Sequence, residues 1–271
     1  MIPKIIHYCW FGRKQKPELV KLCIQSWIKI CPDYKVIEWN EDNFDLSINE
    51  YIQEAYTAEK WAFVTDFVRL YVLYKYGGIY MDTDIELIKN LEDFLMEDAF
   101  MGYETKETIS TSLIGAVKGN DWIRHCLSYY EGRHFFLPVG NIDKTTNVQV
   151  ISAEITKYFD VHLKGDLMKL TNLTLYPKDF FCPKNALSGR IQLTDNTYAI
   201  HYFDGSWLSD EEKEKKRRLE KYRKYFGWWI GLQIAEFSLE YETNGIKGLV
   251  VLFTNKFTTK FLNGENKNKD D

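Results

Sequence analysis

The chain has 271 residues, 45% of them hydrophobic, enough for one large domain or one and a half with a sizeable core, and this excludes a disordered chain. A formal charge of −4 argues against nucleic acid as the main partner, because phosphate backbones select strongly basic faces. Five scattered cysteines (Cys9, Cys23, Cys31, Cys126, Cys182) contain no Cys-x-x-Cys pair, so they fit neither a disulfide framework nor a zinc site and point to a reducing compartment.

The stretch PKIIHYCWFG, ending at Gly12, reads as a β-strand. KPELVKLCIQSWIKICP follows with Leu19, Leu22, Cys23, Ser26, Trp27 and Ile30 at helical spacing, and Pro32 stops it. YKVIEWN alternates as a second strand, and strand, helix, strand in this order predicts a βαβ unit with a parallel sheet. Residues 58–78, AEKWAFVTDFVRLYVLYKYGG, are long enough for a helix and apolar on nearly every face, which predicts burial all round. Gly77 and Gly78 end it, the first suited to a left-handed C′ position. IYMDTDIEL reads as the next strand, followed by a helix or loop over 90–98. Between about 100 and 205, short strand-like runs (FMGYE, TSLIGAV, NLTLYP, TYAIHYF) alternate with polar loops.

At Ser209 the composition changes. Ser209 and Glu212 have capping-box spacing, and residues 209–226 hold eight basic against five acidic side chains. The expected organisation is a catalytic α/β domain over 1–208 and a helical C-terminal extension over 209–271. Its basic residues, mixed with Phe226, Trp228, Trp229 and Phe257, suit either the headgroup layer of an anionic membrane or an ordinary solvated helix.

Chemistry concentrates at YGGIYMDTD. On a strand, Asp82 and Asp84 would point to the same side, and two hard carboxylates on one side suit Mg²⁺ or Mn²⁺. They stand at the carboxyl end of an apolar strand, where open α/β sheets place their ligands. Within the apolar helix, Asp66 and Arg69 share a face at i, i+3. They either pair with each other or border a polar ligand. His201, near a strand end, reads by itself more readily as a structural residue than as a ligand.

Taken together, IPKIIHYCWFG, Trp39 and Asn40, the helix with Thr65, Asp66 and Arg69, and YGGIYMDTD resemble glycosyltransferase family 32, the Asp-x-Asp sugar transferases. The core of the clostridial glucosylating toxins is similar. The resemblance covers residues 2–90 and resumes at AIHYFDGSW, 199–207. It implies a GT-A fold, a Rossmann-like sheet flanked by helices, binding a UDP-sugar whose diphosphate is bridged by Mn²⁺ or Mg²⁺. It further implies metal ligation by Asp82, Asp84 and His201, and donor contacts from Asp66, Arg69 and Asp82. Trp10 would stack on the base, with Ser206 and Trp207 closing over the diphosphate; a core role for Trp10 stays open. The implied reaction is hexosyl transfer with retention, from UDP-glucose or UDP-galactose to a saccharide acceptor, lipid-linked where the enzyme serves capsule or O-antigen synthesis. GDP-mannose is the alternative donor, and a sugar- or metal-binding protein without turnover the alternative class.

A haloacid-dehalogenase-like phosphatase also places Asp-x-Asp after an apolar strand, but it wants a small hydroxyl or Val two residues after the second Asp, where Glu86 stands. The opening MIPKIIHYCWFG makes a poor signal peptide and no run approaches the ~20 apolar residues of a membrane span. The expected location is cytoplasmic, with peripheral contact at the inner membrane face.

Overall fold

The computed structural model describes residues 1–205 apart from Leu187, and scattered positions between 214 and 246. The chain divides into two compact units, Met1–Ala186 with Arg190–Trp207, and Leu187–Gly189 with Leu208–Asp271. The described positions between 214 and 246 are helical, and Glu214 pairs with Arg217 and Arg218 at 2.8 and 2.7 Å. The Ser209–Glu212 capping box and Phe226, Trp228, Trp229 and Phe257 lie outside the described residues.

The first unit opens with the βαβ unit expected: β1 (Ile5–Cys9), α1 (Glu18–Ile30) and β2 (Lys35–Trp39), with β1 and β2 parallel from Ile5↔Lys35 to Cys9↔Trp39. The buried stripe of α1 is Val20, Cys23 and Trp27. Leu22, expected on that stripe, is exposed, because the packed face runs through Val20 and Cys23, one residue after Leu19 and Leu22. Two helices follow, α2 (Glu50–Thr57) and α3 (Trp61–Tyr76). Asn49 caps α2, its side chain accepting from Ile52 N at 3.3 Å.

Gly77 ends α3 with φ +68°, a conformation that L side chains avoid, and a Cβ there would lie 2.6 Å from the Lys118 nitrogen. Its ψ of −176° is extended, so it is a capping residue turning directly into a strand rather than the left-handed helical C′ expected.

That strand is β3 (Gly78–Met81), buried throughout and parallel to β1. After β4 (Ile85–Leu87) come β5 (Ala99–Tyr103), β6 (Ile109–Ala116), α4 (Asp121–Ser128) and α5 (Asn147–Tyr158). The unit closes with β7 (Met168–Lys169), β8 (Thr174–Tyr176), α6 (Lys178–Phe181) and β9 (Ala199–His201).

The main sheet has the order β2-β1-β3-β6-β5-β8-β7, with β6 and β7 antiparallel to the rest. Five strands therefore point the same way, and their carboxyl ends carry Trp10, Asn40, Asp82, Glu104 and Pro177 along one edge. Helices cover both faces, so the inner strands are near-continuous apolar runs. Tyr80 points into a cluster with Tyr51, Val64, Phe67 and Trp122, while its neighbours Ile79 and Met81 join Trp27, Phe94 and Phe181 on the other face.

The single strand expected over 79–87 is two. The main sheet releases the chain after Met81, residues 82–84 form a turn, and β4 pairs instead with β9 in a separate two-stranded ribbon. Helix α1 secures that ribbon: Trp27 Nε1 donates to Ile85 O at 2.7 Å, and Leu87 N donates to Ser26 Oγ at 3.0 Å.

Candidate active site at the carboxyl edge of the sheet

Asp82 and Asp84 thus converge through a turn, not through strand alternation. Asp82 N donates to Ser112 O at 2.7 Å, the last rung onto β6, and Ile85 N donates back to Asp82 O at 3.1 Å. Asp84 belongs to the ribbon: its Oδ2 accepts from Asp204 N at 2.8 Å and its carbonyl from Tyr202 N at 3.0 Å. Because β4 and β9 are in register at Ile85↔His201, the imidazole arrives beside the turn.

His201 Nε2 lies 3.5 Å from Asp84 Oδ1, and its Nδ1 is 3.9 Å from Cys182 Sγ. One ligand atom from each of Asp82, Asp84 and His201 falls within 4.8 Å of the other two. Two carboxylate oxygens and an imidazole nitrogen form a donor set that Mn²⁺ accepts readily and Mg²⁺ can share, so the residues fit the implied ion. Burial opposes a charge on His201, but the Asp84 carboxylate and its hydrogen bond prevail and raise the imidazole to about 10. Burial also pushes Asp84 upward, yet His201 and the Asp204 amide hold it below the usual carboxylate range. A divalent cation would take over the proton's role between these two groups.

Arg69, only 5% exposed, organises the other side. Its Nη2 lies 2.9 Å from Asp66 Oδ1 and its Nη1 3.3 Å from Asp82 Oδ1, while Nη1 donates to Thr111 O at 2.6 Å and Nε to Thr65 O at 3.2 Å. The guanidinium also lies over the Tyr80 ring at 4.8 Å, and the Tyr80 hydroxyl donates to Asp82 Oδ1 at 2.9 Å. Burial disfavours the cation, but Asp82, Tyr80 and Asp66 more than restore it, and Arg69 stays charged. Asp66 gains less from the sharing; burial outweighs Arg69 and raises it to about 6. Asp66 and Arg69 therefore do pair with each other, and the pair extends to the metal-site aspartate.

Trp10, directly after β1, is half-buried, its Nε1 donating to Lys14 O at 2.6 Å with Lys16 Nζ 5.7 Å over the ring. Ser206 and Trp207 lie outside the described residues. The structure adds residues the sequence reading passed over. Thr111 and Tyr80 hold Arg69 and Asp82, and Asn147 opens α5 with Nδ2 donating to Asp66 O at 3.2 Å while its buried Oδ1 has no partner. Glu104 ends β5 as Asp82 ends β3, and a carboxylate closing a second apolar strand was the signal available for it.

Residues 17–101 match the family described as glycosyltransferase sugar-binding region containing DXD motif. Inositol phosphoceramide mannosyltransferase 3 of Schizosaccharomyces pombe is 30% identical over 130 residues, 45% of this chain and 35% of that protein. An uncharacterized glycosyltransferase, L373, of Acanthamoeba polyphaga mimivirus is 29% identical over 196 residues, 68% of this chain and 77% of that one. The chain thus matches about a third of the fission-yeast relative's length. Among solved structures, the PaToxG glycosyltransferase aligns with a TM-score of 0.43 at 18% identity, over 59% of this chain and 70% of that one. The galactosyltransferase LgtC aligns with a TM-score of 0.39 at 15% identity, over 79% and 93%. The mostly parallel sheet with helices on both faces is the GT-A arrangement that the resemblance implied. The matched segment runs from the start of α1 into β5 and encloses both aspartates and Arg69, so residues 17–101 carry the glycosyltransferase sugar-binding region that contains the DXD motif.

Proposed function

We propose that the chain transfers a hexose from a UDP-sugar to a saccharide acceptor, with Asp82, Asp84 and His201 holding Mn²⁺ or Mg²⁺ against the donor diphosphate. The observation that carries this reading is the meeting of those three ligand atoms within 4.8 Å at the carboxyl edge of the sheet. When bound, the cation neutralises charge on the departing diphosphate. The protein's own residues prepare the site for that. Arg69 and Tyr80 fix Oδ1 of Asp82, with Arg69 reaching its Oδ2 only at 3.5 Å, and the Asp204 amide fixes Oδ2 of Asp84, whose Oδ1 faces His201. Fixed groups cost no reorganisation as charge develops.

In the reaction the acceptor oxygen bonds to the anomeric carbon, the bond from that carbon to the diphosphate breaks, and the acceptor proton passes to the released phosphate oxygen. We read the outcome as retention of configuration, which NMR of the product anomer tests; an inverted product refutes it. The half-buried Trp10, carried on the end of β1, supports a stacked uracil.

A second donor has its own support. Named fungal relatives are an inositol phosphoceramide mannosyltransferase and a mannosyl phosphorylinositol ceramide synthase, which favours GDP-mannose and a lipid-borne acceptor. No helix among the described residues is long and apolar enough to cross a membrane. Membrane contact is assigned to residues 209–271 on their mixture of basic and aromatic side chains, and liposome sedimentation of the full chain against a 1–208 truncation tests it; equal binding rejects the assignment.

The deciding experiment is cation-dependent hydrolysis of UDP-glucose, UDP-galactose and GDP-mannose without acceptor, compared with Asp84→Asn. Wild-type turnover with Mn²⁺, abolished by chelation and reduced at least about a hundredfold in the variant, is expected. Turnover indifferent to chelation, or binding without turnover for all three donors, would refute the reading.

A further inference from the structure

The carboxylates around the sheet's carboxyl edge are nearly all engaged. Asp66 and Asp82 share Arg69, and Asp84 holds His201 and the Asp204 amide. Glu38 accepts from the Tyr8 hydroxyl at 2.5 Å and from Asn40 at 3.1 Å, and lies 2.8 Å from Lys16 Nζ. Glu104 is different: half-buried at the end of β5, its carboxylate has no hydrogen bond or ion pair among the described residues.

Its placement is built into the strand. The β5–β6 register shifts between Met101 and Gly102, the kind of irregularity that re-aims the residues after it. Gly102 lies against Phe181 of α6, where a Cβ would come within 2.7 Å of the ring, so the strand end presses directly on α6. Glu104 N donates to Thr108 O at 2.9 Å and closes the hairpin. Strand order places it on the same carboxyl edge as Asp82, with β6 between β3 and β5, and the charges acting on its carboxylate come from His201, from Lys178 on α6 and from Asp82. Lys178 is also half-buried and forms no ion pair with it.

A half-buried carboxylate without donors loses hydration and gains nothing, so its retention calls for a partner from outside the chain. The partner is not the ion, because Glu104 does not belong to the group of ligand atoms formed by Asp82, Asp84 and His201. Nor is it a phosphate, which a carboxylate repels. An ionised carboxylate accepts only, and neutral hydroxyls are the donors a sugar offers. The hexose of a nucleotide sugar is bonded to the very diphosphate that the aspartates are read to hold.

We propose that Glu104 accepts a hydrogen bond from a hydroxyl of the donor hexose and contributes to the choice of sugar. This rests on the transferase reading above. The test uses the full chain with Mn²⁺ and whichever of UDP-glucose, UDP-galactose and GDP-mannose binds the wild type, alongside its parent nucleotide UDP or GDP. Calorimetry of Glu104→Gln and Glu104→Ala should show at least about tenfold weaker binding of the nucleotide sugar, with the parent nucleotide bound as in the wild type and the melting temperature kept.

Equal loss for sugar nucleotide and bare nucleotide would overturn the assignment, since it would place Glu104 at the diphosphate or in the scaffold. Unchanged donor binding overturns it as well, and transfer to an added acceptor impaired at unchanged donor binding would reassign the contact to the acceptor. Wild-type protein that binds no nucleotide sugar removes the transferase reading and this contact together, whereas wild-type binding with indifferent variants removes this contact alone.

Discussion

His7 sits fully buried on β1, between the Trp39 ring and the end of α3. Trp39 Nε1 donates to its Nδ1 at 3.1 Å, so that nitrogen carries no proton, and Nε2–H is left to donate to Gly77 O at 2.8 Å. Adding a proton would break the tryptophan bond in a fully buried site, and burial accordingly lowers the imidazole to about 4 despite the favourable Gly77 contact. Since the folded state resists a proton that the unfolded chain accepts near 6.5, this stability is intact above pH 6.5 and drains as pH falls toward 4. The cost approaches roughly 3 kcal/mol, and urea midpoints across that window should fall less steeply in His7→Gln. Arg69 is the opposite case. Its removal in Arg69→Ala leaves Asp66 and Asp82 facing each other in a buried site, and should lower the unfolding free energy by about 3–5 kcal/mol in urea titration.

The β1–α1–β2 unit and α3 could be read from the sequence because each is long, periodic and bounded by Gly or Pro. The helices α2, α4 and α5 could not be read from periodicity, since each spans only two to three turns among mixed residues. Their caps were nonetheless written in the chain: Asn49, Asn120, and the Thr146–Gln149 capping box. The break after Met81 left no local trace, because Ile85 and Leu87 continue an apolar alternation and only pairing with a partner more than a hundred residues away lifts them out of the sheet. The sharp change of direction before β3 depends on Gly77. With positive φ and the Lys118 nitrogen 2.6 Å from any Cβ, Gly77→Ala should cost roughly 2–4 kcal/mol, measured as a lowered urea midpoint at unchanged slope.

At the scale of the molecule, the candidate site draws on α3, β3, β6 and β9, elements spread from residue 61 to residue 201. Asp82 and Asp84 announce themselves as a motif, and family resemblance nominated His201. Thr111 and Asn147 were invisible because each becomes a site residue only through the packing of β6 and α5 against α3, which sequence does not display. Ligands that bind this assembled edge should stabilise the folded chain. With Mn²⁺ and UDP, or GDP where mannose is the donor, at about a hundred times their dissociation constants, the melting temperature should rise about 5–10 °C over the chelated protein, and Asp84→Asn should lack the cation-dependent part.

The turn at 82–84 has a mechanical consequence. Asp82 is fastened to the large sheet through Ser112, and Asp84 to the β4–β9 ribbon through Asp204 and Tyr202. A cation gripping both would work as a rivet between two separately laced pieces of backbone. Loading it should therefore slow amide exchange at Ile85–Leu87 and Ala199–His201, while the interior strands of the large sheet, already laced on both sides, hold their rates.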